Sequence, residues 1–304
     1  MSFFKEFEDI SVREEMRANK STLELLLDIE TEIIKQYEKD ERFEQHNGME
    51  NEAYQSVYAA TEEKLKQVIL TPELLQKYVD VRNNTEENKE AFIRGMYSAA
   101  LLEKITRKPD HESIFINGNG KTFNYLFYHI KQVKRLTLQN VIGNFILAYA
   151  GSDRGYANEI IVTKSKGDYL LQTSGCNGSL NHITLKDIEG GAALSDAGSF
   201  SGNAKYIIIS NLRGNFTLSY AAKMHGILQY VVLKKIKGSC TASDAGNQNG
   251  LAGDIIRERR LNEEQKRIVI EIEQMVESMH SLSSEDQKQA HQKIAELQEE
   301  IFTT

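Results

Sequence analysis

Between residues 113 and 253 the chain alternates apolar and polar positions in short runs, and a glycine follows each run. One glycine in each of five units can serve as a reference, and the steps between them are 24, 23, 24 and 24 residues. These reference glycines are Gly143, Gly167, Gly190, Gly214 and Gly238. We call the residues at one offset from them a column. The column five positions before the glycine is aliphatic throughout: Leu138, Val162, Leu185, Ile209 and Leu233.

Other columns indicate which side chains point inward and where the chain bends. The column seven positions before the glycine is also aliphatic, and the column seven positions after it holds only alanine and serine. Alternation of this kind is typical of β-strands, and glycine permits bends at which a Cβ atom would clash. The repeat therefore predicts a parallel β-solenoid (a β-helix) of about 24 residues per coil, in which three strand-and-bend sides make one coil.

A less regular first coil, SIFINGNGKTFNYLFYH, precedes the five aligned units and carries Ile114, Ile116 and Phe123. Roughly six coils are therefore expected, each hydrogen-bonded to the next about 4.8 Å along the axis. Only the inward columns must stay apolar and only the corners must stay small. The outward residues can therefore vary while the rhythm of the repeat is kept.

The segment before the repeat, residues 1–112, is predicted to be helical. The stretch STLELLLDIETEIIKQYEK opens with Ser21 and Glu24 in capping-box spacing and places its apolar residues on one face. Further along, Thr71 followed by Pro72 is typical of a helix start. The repeat itself is assigned to residues 113–253.

Residues 254–304 are also predicted to be helical. Their apolar residues step by alternating four and three, as in a heptad seam: Leu261, Gln265, Ile268, Ile272, Met275, Met279 and Leu282. A second helix is expected to start at Ser283 or Ser284. Two interpretations remain open: a helical hairpin that covers the open end of the solenoid, or a coiled coil that joins two protomers. In the second, Ile268, Ile272, Met275 and Met279 form the oligomerisation surface. The predicted fold class is α+β in either case.

Charge is distributed unevenly along the chain. Residues 1–112 carry 16 Lys and Arg against 25 Asp and Glu, residues 113–253 carry 14 against 7, and residues 254–304 carry 7 against 12. No apolar run is long enough to span a membrane, and the acidic start lacks the pattern of a signal peptide. Two cysteines cannot form a disulfide framework. We therefore expect a cytoplasmic protein without a membrane partner.

The positive charge of the repeat falls on outward positions at one corner of the coil. Stacking aligns it into a stripe that Asp187 and Glu189 interrupt. Its residues are Lys164, Lys166, Arg213, Lys234, Lys235 and Lys237. Such a stripe could contact the phosphates of a nucleic acid, could dock the chain's own acidic helices, or could simply be solvated.

Catalytic and metal-binding patterns are weak. The GNGK at 118–121 lacks the spacing of a phosphate-binding loop, and the seven histidines lack metal-ligand spacing. Asp196 and Asp244 share a column two coils apart, about 10 Å, at the edge of the range for inverting glycosidases. Cys240 shares a column with Phe145, Tyr169 and Phe216 that we predict to point inward. No catalytic residue, metal or cofactor is predicted.

The order of helices, solenoid and helices is similar in layout to the scaffold proteins of iron–sulfur cluster assembly. The stretch SDAGNQNGLAGDIIRERR lacks the cysteine, glutamate and histidine motifs that such scaffolds use, so no cluster chemistry is expected. The leading hypothesis is a non-enzymatic scaffold with protein partners or self-association. The alternative is an RNA- or ribosome-associated protein that uses the basic stripe. A carbohydrate-active enzyme is the third hypothesis.

Overall fold

The computed structural model describes residues 22–44, 48–108, 112–239, 241–247 and 250–303. It confirms an α+β chain with a parallel β-solenoid of about six coils and helices on both sides. The elements are α1 (22–37), α2 (Glu50–Lys64), α3 (Pro72–Val81), α4 (Lys89–Thr106), β1 (Ser113–Asn117), β2 (Gln132–Gln139), β3 (Tyr156–Lys166), β4 (Ser179–Glu189), β5 (Asn203–Arg213), β6 (Ile227–Lys234), β7 (Leu251–Arg257), α5 (Glu263–Ser278) and α6 (Ser284–Glu300).

The strands form one parallel sheet in chain order, so each strand pairs with the strands of the preceding and following coils. The register aligns the predicted columns: Leu138 pairs with Val162, which pairs with Leu185. The column of Leu138, Val162, Leu185, Ile209 and Leu233 is at most 3% exposed. The predicted inward ladder is confirmed.

The prediction of three strand-and-bend sides per coil is wrong, because in the described residues strands form only one side of each coil. After the reference glycine the chain runs through consecutive turns in which every second residue has a positive φ, such as Phe145 (58°), Leu147 (56°) and Tyr149 (62°). The N–H of Ala148 bonds to the carbonyl of Phe145 at 3.2 Å, and the N–H of Leu147 bonds to the carbonyl of Leu126 in the preceding coil at 2.8 Å. These bonds stabilise a conformation that bulky residues rarely adopt.

The reference glycines form the corner between the strand side and the turns. Gly167 has a φ of 144°, and a Cβ atom there would overlap the carbonyl oxygen of Gly143 in the preceding coil. Only a residue without a side chain fits this close stacking. The corner therefore presents a bare backbone strip that runs along the solenoid.

Helices α1–α4 cover the N-terminal end of the solenoid and share its hydrophobic core. In the second coil, the N–H of Leu147 bonds to the coil before it, but the first coil has no such neighbour. At the equivalent position, the N–H of Phe127 donates to Ser98 Oγ of α4 at 2.9 Å. Likewise, the N–H groups of Lys131 and Gln132 donate to Glu103. Side chains of α4 thus replace the missing coil.

Two of the three predicted helix starts can be compared with the structure. Thr71 accepts the N–H of Leu74 and Pro72 opens α3, which confirms that helix start. Ser283 accepts the N–H of Asp286, so the second C-terminal helix begins where it was predicted. Ser21 lies outside the described residues.

The C-terminal hairpin does not cover the open end of the solenoid, so that prediction is wrong. Helices α5 and α6 lie on the outer face of the sheet instead. There they pack against the column six positions before the glycine, of which Ile161, Ile208 and Val232 are buried. Packing of the hairpin removes these outward apolar side chains from water, which explains its position on the sheet.

The solenoid also extends further than predicted, because residues 254–257 belong to β7 and not to a helix. Strand β7 pairs with β6, and no further strand of the described chain pairs with it. We call this free side of the last coil, with β7 at its edge, the open end. Leu251 is 66% exposed there. Arg257 pairs with Leu233 and so occupies the inward column of aliphatic residues.

Candidate functional site

The basic stripe lies at the glycine corner, as predicted from its columns. Lys164 and Lys235 stand three positions before a reference glycine and have positive φ, while Lys166, Arg213 and Lys237 stand one position before. All five side chains are exposed. The structure therefore brings these five cations to one edge of the solenoid.

Two carboxylates neutralise the stripe in its N-terminal half. Lys166 Nζ lies 3.1 Å from Glu189 Oε2. Burial raises the pKa of Asp187, but hydrogen bonds from Asn211 and Lys186 and the charge of Lys164 outweigh it, so the net shift is downward. The predicted interruption at Asp187 and Glu189 is thus a pair of charge contacts.

Lys234 belongs to a different contact. Its Nζ donates to Glu273 Oε2 of α5 at 2.8 Å, and both side chains are largely buried. Lys186, outside the predicted set, donates to Glu277 of the same helix at 2.5 Å. The docking of acidic helices on sheet lysines therefore occurs, and in the described part of the chain its ion pairs with α5 are made by Lys186 and Lys234.

Three cations at the open end have no ion pair within the described residues. Lys235, Arg257 and Arg259 line a cavity of about 450 Å³ together with Leu233, Ile236, Thr241 and Glu258, and we call it the end cavity. Glu258 Oε2 accepts the backbone N–H of Lys235 at 3.1 Å. Sequence reasoning missed Arg257 and Arg259 because it assigned them to a helix. The available signal was the register, since Arg257 continues the aliphatic column.

Exposed aromatic rings flank the glycine corner. Tyr169 is 38% exposed and Phe216 is 53% exposed, and both line a cavity of about 430 Å³ with Arg213 and Asp168. The prediction that this column points inward is therefore wrong for Tyr169 and Phe216, whereas Phe145 of the same column is only 6% exposed. Cys240, placed in the same column, lies outside the described residues.

Asp168 has a structural role in this corner. Its Oδ1 accepts the N–H of Gly191 at 2.5 Å, and its own N–H donates to Asn144 Oδ1 at 2.7 Å. Asn215 Oδ1 likewise accepts the N–H of Ser239 at 2.8 Å. These side chains therefore link successive coils through hydrogen bonds.

A second polar cluster lies between α4 and the first coils, in a cavity of about 250 Å³. Burial raises the pKa of Glu103 and lowers the pKa of Lys131. Glu103 accepts the hydroxyl of Tyr54 at 2.7 Å as well as two backbone N–H groups, and Lys131 Nζ donates to Asp153 at 2.8 Å. The bonds of Glu103 join α4 to α2 and to the first coil, and the bond of Lys131 joins two coils. Burial at these structural contacts is the cause of both pKa shifts.

The carboxylates of the carbohydrate hypothesis remain on the turn side of the coils. Burial raises the pKa of Asp196, and Asp244 accepts a hydrogen bond from Asn247 at 2.8 Å. Tyr220 stands between them in the column. In the described part of the chain, no group of three His, Cys, Asp or Glu side chains could hold a metal ion. Burial raises the pKa of the Cys176 thiol to about 12, which disfavours the reactive thiolate.

The proposed oligomerisation residues are placed inside the chain. Ile268, Ile272 and Met279 are buried against the sheet, and Met275 packs against the same cluster. An intermolecular contact through these side chains would require α5 to leave the sheet. Self-association through the seam stays a prediction.

No protein-family model, curated protein or solved structure matches the chain. No helix within the described ranges has the length and apolar character needed to cross a bilayer. The function must therefore be argued from the molecule's own surfaces.

Proposed function

We propose that the protein is a non-enzymatic cytoplasmic scaffold that binds a protein partner at the open end of its solenoid. The observation that carries this proposal is strand β7, which has a neighbour on one side only. A sheet edge with unpaired N–H and C=O groups is a template for another strand. The partner is therefore an extended segment that adds to β7 through main-chain hydrogen bonds.

Exposed apolar side chains near this edge support the proposal. They occur in the last three coils, on the turn side and at the start of β7: Phe200, Phe216, Tyr220, Met224 and Leu251. Inward residues of the last coil, Ala242, Ala245 and Ile255, are only partly buried. Exposed apolar surface of this kind is typical of binding sites. The coils behind it are hydrogen-bonded to one another and would support this surface.

Site-specific photocrosslinking in the native cell tests this function. A photoreactive residue replaces Leu251, and in a matched control it replaces Ile69, which is 76% exposed between α2 and α3. We expect a discrete crosslinked protein from position 251 and none from position 69. Hydrogen exchange of the purified complex should then show slower exchange in residues 251–257. Equal crosslinking at both positions, or none at 251, would refute the proposal.

RNA binding is the second candidate function, and one observation favours it. Arg213 and Phe216 line one cavity, which combines a cation with an exposed aromatic ring. Single-stranded nucleic acids bind to surfaces that pair cationic tracks with such rings. Co-purification of RNA that is lost at high salt would support this function, and RNA-free protein at low salt would exclude it.

Self-association is part of the scaffold proposal, with a dimer or larger oligomer expected. Light scattering of the full chain beside a 1–260 truncation tests it. A monomeric mass for the full chain at tens of micromolar would contradict it. Because α5 and α6 cover buried residues of the sheet, the truncation needs a parallel check of its folding by circular dichroism.

A further inference from the structure

The end cavity lies where the inward aliphatic column meets solvent. Leu233 is the last aliphatic residue of that column, and Arg257 follows it in the next coil. Because the solenoid ends there, Arg257 is exposed despite its inward register, so its charge is accessible to an anion from solution. The cavity of about 450 Å³ is large enough to hold a small ligand beside Arg257.

Three cations converge on this cavity. Lys235, Arg257 and Arg259 all line it, and within the described ranges none of them lies within ion-pair distance of a carboxylate. The carboxylate of Glu258 already accepts a backbone N–H. By contrast, the sheet lysines beside α5 are paired with glutamates. The end cavity thus brings together three cations for which the described ranges provide no ion pair.

We propose that the end cavity binds a phosphate-type oxyanion, held by Lys235, Arg257 and Arg259. A guanidinium group presents paired N–H donors that match the oxygens of a phosphate, and the ammonium of Lys235 adds a point charge. Thr241 offers a hydroxyl donor in the same cavity, and Leu233 and Ile236 form an apolar wall. The ligand class is therefore a phosphate ester whose organic part can contact that wall.

A different role for Arg257 alone would be to disfavour pairing with another strand, since charges at inward positions of edge strands do so. That role requires only the charge of Arg257 and does not require Lys235 or Arg259. The convergence of three cations on one cavity is the feature that it leaves unexplained. The anion site does not depend on a protein partner at β7, so either proposal can fail without the other.

Calorimetric titration of the full chain with inorganic phosphate tests the site. We expect binding by the unmodified protein and about tenfold weaker binding by Arg257→Gln, because a hydrogen bond to a charged group is lost. Arg259→Gln should weaken binding similarly. Arg260→Gln is the matched control: it removes the same charge from a neighbouring exposed residue that does not line the cavity.

The source of the phosphate is distinguished by two further ligands. A nucleoside monophosphate that binds more tightly than phosphate, with the same variant pattern, supports a small-molecule ester. A single-stranded oligonucleotide that binds more tightly still, with a steep salt dependence, supports a nucleic-acid phosphodiester. Absence of phosphate binding at tens of millimolar, or equal losses in Arg257→Gln and Arg260→Gln, would overturn the proposal. Thermal unfolding of each variant shows whether it is folded.

Discussion

The two ends of the solenoid differ in whether other parts of the chain cover the last coil. Each end coil lacks a neighbour on one side and would expose unpaired backbone groups and the end of the core. At the N-terminal end, Ser98 and Glu103 of α4 accept N–H groups of the first coil, and aromatic residues of the helices pack on that coil. At the C-terminal end, β7 stays uncovered and carries Asp254 and Arg257.

The covered end contributes to stability, whereas the uncovered end provides a surface for binding. A helical cover satisfies backbone N–H groups of the first coil and buries it. An uncovered edge exposes backbone and apolar residues, and charged side chains at that edge disfavour uncontrolled strand pairing. The unpaired cations Lys235, Arg257 and Arg259 lie at the uncovered end. Changes at the N-terminal end should therefore lower stability, and changes at the open end should alter association and binding.

The largest effect is expected in the middle of the inward column. Ile209→Asp places a carboxylate at a fully buried position, whereas Arg257 occupies the same column at the solvent-exposed end. We expect loss of more than about 4 kcal/mol of unfolding free energy and an unfolded chain. Circular dichroism with urea titration measures this. The control Ile209→Val should cost only about 1 kcal/mol. A soluble Ile209→Asp protein with protected amides would contradict the inward ladder.

The N-terminal cover gives the next largest effect. Glu103→Leu removes the acceptor of three donors: the Tyr54 hydroxyl and the N–H groups of Lys131 and Gln132. Leaving them unpaired should cost about 3 kcal/mol or more in unfolding free energy. Glu103→Gln keeps an amide oxygen in the same place and should cost clearly less. Equal losses in the two variants, measured by urea unfolding, would show that the carboxyl oxygen does not replace the missing coil.

A pH effect of similar size is expected from His129, which is buried beneath α2 with its ring 5.4 Å from that of Tyr54. Burial lowers the pKa of His129 to about 4, and the nearby carboxylate of Asp153 offsets only part of this shift. Between about pH 6.5 and pH 4 the unfolded chain therefore binds a proton that the folded chain does not. Stability should fall by about 3 kcal/mol as the pH drops through this window.

Urea unfolding at pH 7 and at pH 4.5 measures the effect, with His129→Gln as the comparison because it cannot titrate. Burial also lowers the pKa of His182 and His291, so the unmodified chain loses stability for three reasons. The pKa of Asp153 is lowered to about 2 by His129 and Lys131, which puts its protonation below the window. If His129→Gln has the same pH dependence as the unmodified chain, the histidine is not the cause.

The repeat made the solenoid predictable because inward columns are constrained in every coil. Leu138 and Ile209 occupy the same inward column in different coils, so an atypical residue in one coil does not hide the pattern of the column. The turn side was not predictable, since Phe145, Leu147 and Tyr149 adopt positive φ without any glycine to indicate it. Their conformation depends on hydrogen bonds to neighbouring coils, which a propensity for single residues does not contain.

The candidate site shows the same limit. The columns located the exposed cations at one corner, but they could not show which lysines have partners. Lys234 and Lys186 meet Glu273 and Glu277 across 39 and 91 residues of sequence, and those contacts depend on where the hairpin docks. The apolar outward residues Ile161, Ile208 and Val232 were the signal for that docking face. A search of the outward columns for apolar residues would have predicted the face of the sheet on which the hairpin packs.

A smaller effect separates the paired lysine from its exposed neighbour. Lys234→Glu sets two carboxylates against each other at a largely buried contact with Glu273 of α5. We expect about 1–2 kcal/mol of local destabilisation and faster amide exchange in α5. Lys235→Glu should leave the exchange of α5 unchanged, and so should Lys237→Glu. Faster exchange after Lys235→Glu would show that the exposed corner also holds the hairpin.

The smallest effect on stability, and the sharpest test of the difference between the ends, comes from Arg257→Leu. The change continues the aliphatic column to the exposed edge and removes the inward charge. Because the position is exposed, the unfolding free energy should change by less than about 0.5 kcal/mol. Without the charge, however, two copies can pair at β7 and bury the new leucine, so sedimentation velocity should show more self-association. Arg260→Leu adds the same apolar surface away from the column and is the control. Equal association in both variants would mean that added hydrophobic surface, and not the lost charge, is responsible. Unchanged association in Arg257→Leu would mean that the charge of Arg257 does not keep the edge unpaired and that Asp254, the other charge of the strand, suffices.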